Sequence, residues 1–327
     1  MQFIDMHCDS LMALLFRDPE VSNLYDSKVT SVDFKRMRES GQLAQFFAMF
    51  LPPEEGYAMV GMDPIPDETY IASCRDRLLR NVAEHSDLIA MAHNGREVEA
   101  NRKAGKMSAI LTIEDGRSVS GQMENLERYY SMDVRAITLT WNKENCFGFP
   151  NSRNAALMQK GLTPFGKEAV AYMQELGILV DVSHLSDGGF YDVADICRNP
   201  FAATHSNCRA LCPHPRNLTD DMIRVLANAG GIAGINFGPE FLNADVNDRN
   251  STAQCMALHA RHMADVGGIE CVALGSDLDG IDGNLEIYDG TQMEKLERAL
   301  SRQGFSESEI EKIFFGNVLR VMKDAMK

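Results

Sequence analysis

Short apolar runs, many of them β-branched, alternate along the chain with longer stretches in which apolar residues recur at helical spacing. The runs that read as strands are residues 2–9, 43–50, 108–115, 134–141, 178–184, 201–206, 232–237 and 271–277. Helical periodicity covers 68–85, 121–130, 164–176, 220–229 and 252–266. Near-continuous apolar strands separated by helices imply parallel strands covered on both faces. Eight such units point to an α/β fold, a closed (β/α)8 TIM barrel, with a doubly wound open sheet as the alternative. Residues 88–93 read as a ninth, peripheral strand and 51–67 as a loop excursion. Residues 291–300 and 306–325 read as two closing helices, the second broken near Gly316. No shift in composition marks a second domain, so residues 1–327 read as one barrel domain.

The polar residues collect where these strands are expected to end. The first run ends in His7-Cys8-Asp9, the third in Glu114-Asp115, the fifth in Asp181-Val182-Ser183-His184, the sixth in Thr204-His205 and the eighth in Ser276-Asp277. In a barrel the C-terminal ends of parallel strands converge on one face, where such folds carry their chemistry. Period-two alternation places His7 and Asp9 on one side of their strand. Imidazole and carboxylate together suit zinc, and manganese or cobalt less specifically. Five ligands are too many for one catalytic zinc but suit two ions if one carboxylate bridges. Each residue alone is weak evidence, since a lone strand-end histidine is more often structural; the repetition at independent strand ends carries the reading. His85, His93 and His214 read as turn or loop residues, and His259 and His262 as surface or helix-end residues.

Composition narrows the partners. Across 327 residues, 32 Lys+Arg against 47 Asp+Glu leave a net charge of −15. That balance argues against nucleic acid and anionic membrane as partners, which are held by basic clusters. No apolar run approaches the ~18 residues of a membrane span. The N-terminal residues lack the basic and apolar regions of a signal peptide, so a cytoplasmic location is expected. Eight scattered cysteines without a C-x-x-C pair read as reduced thiols. No phosphate loop, H-E-x-x-H helix or nucleophile elbow is present. Asp277-Leu278-Asp279-Gly280 begins like a calcium loop, but Ile281 and Asp282 stand where that loop needs a ligand and a glycine.

The order and spacing of these segments resemble the membrane dipeptidase (renal dipeptidase) family of binuclear zinc peptidases, peptidase family M19. The resemblance runs through nearly the whole chain. It is carried by Asp5-Met6-His7-Cys8-Asp9, Ile113-Glu114-Asp115-Gly116, Thr138-Leu139-Thr140, Asp181-Val182-Ser183-His184, Thr204-His205-Ser206, Cys212-Pro213-His214-Pro215-Arg216-Asn217 and Gly275-Ser276-Asp277-Leu278-Asp279-Gly280. It implies a metallo-dependent hydrolase barrel that cleaves dipeptides, often with a D-residue at the C-terminal side, and it suggests a homodimer. By resemblance His7 and Asp9 bind one divalent metal ion, His184 and His205 a second, and Glu114 bridges them, with zinc the first choice. The pair would supply a bridging hydroxide at neutral pH. Asp277 would manage the proton, and Arg216 would pair with the substrate's free carboxylate through its planar fork. One departure stands out. Many family members carry a histidine directly after the Leu-Thr of the fourth strand; here that place is Trp141, with Asn142 and Asn145 as alternative donors.

The leading expectation is therefore a metallodipeptidase. A binuclear amidohydrolase acting on N-acyl-amino acids or small lactams is a second reading of the same site. A metal-stabilised binding protein that has lost catalysis is the third, and retention of Asp277 argues against it, because binding alone needs no proton shuttle.

Overall fold

A computed structural model describes residues 1–20 and 22–327. Among the described residues, eight strands run parallel in sequence order: β1 Phe3–Cys8, β2 Gln42–Phe50, β3 Met107–Glu114, β4 Val134–Thr138, β5 Leu179–Asp181, β6 Ala202–Ala203, β7 Ile232–Ile235 and β8 Val272–Leu274. Each strand pairs with its successor, which excludes the doubly wound alternative, where the strand order reverses. The sheet closes where β1 meets the end of β8. There the Asp9 N–H donates to the Leu278 carbonyl at 2.9 Å and the Asp277 N–H to the His7 carbonyl at 3.2 Å. The expected peripheral strand is present as Ile89–Met91, paired outside the barrel path with Met107–Ala109.

Every residue of β1, β2 and β3 is buried, because one face fills the barrel and the other packs under helices. Serine and threonine caps set several helix starts. Thr163, Ser186, Thr219, Thr252 and Ser306 each accept a backbone N–H of the first helical turn. The closing segment does not break at Gly316: it stays helical, with a π-helical turn Lys312–Gly316 between Glu307–Glu311 and Asn317–Ala325. The excursion at 51–67 holds a six-residue helix, Glu54–Met59, that its Pro and Gly content concealed.

The later strands are shorter than the apolar runs suggest. β5 ends at Asp181 and β8 at Leu274, so His184, His205 and Asp277 stand in the turns just beyond their strands. His184 and Asp277 adopt left-handed backbone, at φ 67° and 63°, in the turns beyond the last paired residues Asp181 and Leu274. Non-glycine residues seldom adopt this conformation, and it clusters at functional sites.

Candidate metal centre

Strand register aligns the ends of the central strands. Phe50 stands opposite Glu114, Glu114 opposite Thr138, and Thr138 opposite Asp181. Side chains from β1, β3 and the turns after β5, β6 and β8 therefore meet at one mouth. Two groups form there. Around His7 Nε2 lie Glu114 Oε2 at 3.3 Å, Asp9 Oδ2 at 3.6 Å and Asp277 Oδ1 at 3.7 Å. Around Glu114 Oε1 lie His184 Nε2 at 3.1 Å and His205 Nε2 at 3.5 Å, with those two nitrogens 3.1 Å apart. Glu114 thus turns one oxygen to each group. All six side chains are buried.

Hydrogen-bond accounting fixes what the histidines present. The Thr204 hydroxyl donates to Asp181 Oδ2 at 2.6 Å and so must accept from His205 Nδ1, 2.8 Å away. That places the proton on Nδ1 and leaves a lone pair on Nε2, facing Glu114. His184 Nδ1 lies 3.4 Å from Asn142 Oδ1, which gives the same tautomer more weakly. Two imidazole lone pairs and a carboxylate oxygen then converge within 3.5 Å, and like lone pairs repel unless a cation lies among them. In the other group, His7 Nε2 and Asp9 Oδ1 are buried with no hydrogen-bond partner. Groups of this kind could hold metal: atoms of His7, Glu114 and His205, and of His7, Asp9 and Asp277, lie within 4.8 Å of one another.

The electrostatics agree. Burial pushes the Asp277 carboxyl up to about 8 and that of Asp9 up to about 6, each aided by neighbouring carboxylates. Burial also opposes the charge of Glu114, but His7 and the other imidazoles hold it well below the usual range. His7 is drawn up by Glu114 and Asp9 against the cost of its burial. Burial and then the Arg216 charge bring His184 down to about 4. Three carboxylates buried together are short of positive charge, and divalent cations fit this donor set.

The mouth opens into a cavity of about 350 Å³. Trp141, Asn142, His214 and Arg216 line it with Asp9, Glu114, His184 and Asp277, and Phe50 packs edge-on to Trp141 at 4.9 Å. Arg216 is 6% exposed. Two of its N–H groups donate to Ser206 Oγ at 3.2 Å and the His205 carbonyl at 3.1 Å, while Nε has no partner and no carboxylate among the described residues pairs with it. Asn145 is placed elsewhere. Its amide donates to Asp115 Oδ1 and the Leu139 carbonyl at 2.8 Å each and accepts the Phe147 N–H, so it staples its own loop. Asp279 is likewise occupied, accepting from Ser10 Oγ and the Ser31 N–H.

One residue enters that the sequence did not single out, and another lies where it was not expected. Asn236 Nδ2 donates to Asp277 Oδ2 at 2.8 Å, fixing one oxygen while the other faces His7. His259 is no surface residue: it is buried, accepting the Cys208 N–H on Nδ1 and donating from Nε2 to the Leu242 carbonyl. Its position three after Met256 and four before Met263, on the buried stripe of the helix Ala253–Gly267, was the available signal.

Known proteins share this fold. A family model described as membrane dipeptidase (peptidase family M19) matches residues 1–327. The dipeptidase tcpJ of Claviceps purpurea is 28% identical over 300 residues, covering 90% of this chain and 69% of that protein. The crystal structure of an M19 metallopeptidase, dipeptidase AC, superposes with a TM-score of 0.90 at 26% identity over 99% of this chain and 98% of its own. A metallopeptidase of Rhodobacter sphaeroides, liganded with a phosphinate mimic of the dipeptide L-Ala-D-Ala, gives 0.89 at 26% identity, covering 99% of both chains.

Proposed function

Because the chain belongs to the membrane dipeptidase family, peptidase family M19, and is a peptide-bond hydrolase of the dipeptidase type, we propose that it hydrolyses dipeptides bearing a free C-terminal carboxylate at a binuclear zinc centre, within one barrel domain. His7 and Asp9 would hold one cation, His184 and His205 the other, and Glu114 both. The division of Glu114's two oxygens between the two groups supports this set. When bound, the cations supply Lewis acidity for the scissile carbonyl and acidify water enough to serve as nucleophile at neutral pH.

The chain's own residues do the rest. Asp277 takes the proton of the attacking water and passes it to the leaving amine, its geometry set by Asn236. Asn142 and Trp141, on the cavity wall, offer N–H donors toward the carbonyl oxygen. Arg216 receives the substrate's carboxylate. The observation that carries the reading is this buried guanidinium, which no carboxylate among the described residues neutralises, opening on the same cavity as the metal-centre side chains. The L-Ala-D-Ala mimic bound by the Rhodobacter relative supports a site that accepts a D-residue at the C-terminal side. Eight free thiols support a cytoplasmic location, and among the described residues no helix is long and apolar enough to cross a membrane.

The test is a panel of L,L and L,D dipeptides with their C-terminal amides, read on wild type and Arg216→Lys. Lysine keeps the charge and loses the fork. Acid substrates should lose ~1.5–3 kcal/mol of transition-state stabilisation, and amides almost none. Equal losses on acids and amides would make Arg216 a structural loop residue.

A further inference from the structure

We propose that His214 is a second donor to the terminal carboxylate of the substrate, acting beside Arg216 through its Nε2–H. The inference rests on the reading of Arg216 as the carboxylate's partner, and it adds a residue that the sequence pattern assigned to loop shaping.

The loop after β6 is held rigid before any ligand arrives. The Leu218 N–H donates to the Asn207 carbonyl at 2.8 Å, and the Arg209 N–H to the Leu218 carbonyl at 2.7 Å. Arg209 grips both oxygens of Asp187 at 2.7 Å. Asn217 Nδ2 donates to the carbonyls of Cys212 and Phe241 at 2.9 Å each. Within this frame His214 Nδ1 lies 3.2 Å from the Arg216 backbone N–H and accepts it. A neutral imidazole that accepts on Nδ1 carries its proton on Nε2. Burial, followed by the nearby charges of Arg216, Arg153 and Arg209, pushes the ring's pKa down to about 4, which keeps it in that neutral form at working pH.

Among the described residues nothing uses the Nε2 proton, and His214 lines the cavity together with Arg216. Phe241 fixes both side chains from one ring. It meets the His214 ring edge-on at 5.1 Å and lies under the Arg216 guanidinium at 5.4 Å. A second donor also answers a shortage. Arg216 already spends one N–H on Ser206 and one on the His205 carbonyl, so its fork is partly committed. A carboxylate can accept about four hydrogen bonds, and a neutral N–H adds one without burying a further charge.

Two amide substitutions separate the ring's two nitrogens. Asn places its amide where Nδ1 was, so His214→Asn keeps an acceptor for the Arg216 N–H and removes the cavity donor. Gln reaches the Nε2 position, so His214→Gln restores a donor there. His214→Phe, which keeps the packing on Phe241 and removes both nitrogens, serves if the asparagine variant folds poorly. With dipeptide acids, His214→Asn or His214→Phe should raise KM about tenfold, the value of one hydrogen bond to a charged group, with kcat little changed. Their C-terminal amides should be unaffected, and His214→Gln should recover most of the loss. Equal KM changes on acids and amides, or an asparagine variant indistinguishable from wild type, would overturn the proposal and leave His214 as a loop clamp. Arg216→Lys run in parallel tells the two readings apart. Acid-selective loss there without it at His214 refutes His214 alone, whereas no acid selectivity in either refutes the carboxylate reading and His214 with it.

Discussion

Gly280 gives the sharpest test of how tightly the candidate metal centre is built. It closes the turn after Asp277, its N–H donating to the Asp277 carbonyl at 3.1 Å, and it touches the cavity. A Cβ placed there would stand 2.0 Å from Asp9 Oδ2 and 2.9 Å from Asp277 Oδ1. To regain an ordinary contact of 3.4 Å, the Asp9 oxygen would have to withdraw by 3.4 − 2.0 = 1.4 Å. Asp9 has little room for this, since it is buried with His7 Nε2 only 3.6 Å from the same oxygen. The Gly280 backbone is not left-handed, so alanine adds no conformational strain and the effect is purely steric. Misplacement by about 1 Å in a reacting constellation costs roughly 10²-fold in rate. Gly280→Ala should therefore lose about 10²-fold in kcat at saturating zinc and retain less zinc than wild type by elemental analysis at limiting zinc. A variant with kcat within about threefold of wild type and full occupancy at stoichiometric zinc would show that Asp9 is not held where its neighbours suggest.

Two further outcomes follow from the same geometry. Asp277→Asn keeps the shape and the Asn236 contact but cannot carry a proton, so metal content should stay while turnover falls by ~10²-fold or more; near-normal turnover would move the shuttle elsewhere. His259 is held neutral by burial, its pKa pushed down to about 4, below the ~6.5 of an unfolded histidine. Its contribution is complete above about pH 6.5 and is lost as pH falls toward 4, by on the order of 2–3 kcal/mol at about pH 4.5 at ~1.36 kcal/mol per unit. Urea melts at about pH 7 and about pH 4.5 should show wild type losing that much more than His259→Gln, and parallel losses in both would refute it.

Much of this architecture was open to inspection in the residues. The barrel is legible because its strands are buried on both faces and so read as unbroken apolar runs, and because the order of the runs is the order of the sheet. The converging side chains were legible because a polar group at the end of a buried run is costly to desolvate, and its recurrence on several runs points to a shared task. What was hidden is mostly the part played by backbone shape and by hydrogen bonds between distant segments. The turns beyond the later strands hold His184 and Asp277 in left-handed backbone, which residue type alone does not fix. Asn145 carries the right chemistry for a donor, yet its amide is consumed by Asp115, Leu139 and Phe147. Asn236 sits in the seventh strand run, which drew no candidate residue, and its hydrogen bond to Asp277 spans 41 residues.

Behind the two groups at the mouth stand two further buried aspartates, and they explain how a site made of turns can be rigid. Asp181 accepts from the hydroxyls of Thr138 and Thr204 at 2.6 Å each and from the backbone N–H groups of Ser183 and Thr204 at 2.9 Å each. These bonds join β4, β5 and β6, and through Thr204 they also set the tautomer and the angle of His205. On the opposite side Asp5 accepts the Ser276 N–H at 2.7 Å and its hydroxyl at 2.6 Å, tying β1 to the turn that carries Asp277 where the barrel closes. A buried carboxylate is costly unless its lone pairs are filled, and one filled by groups from separate strands holds those strands in a single arrangement. The left-handed turns at His184 and Asp277 are each anchored within a few residues of one of these carboxylates. The geometry of the site is thus set one layer behind the side chains that face the cavity, which is where outer partners of metal ligands exert their control.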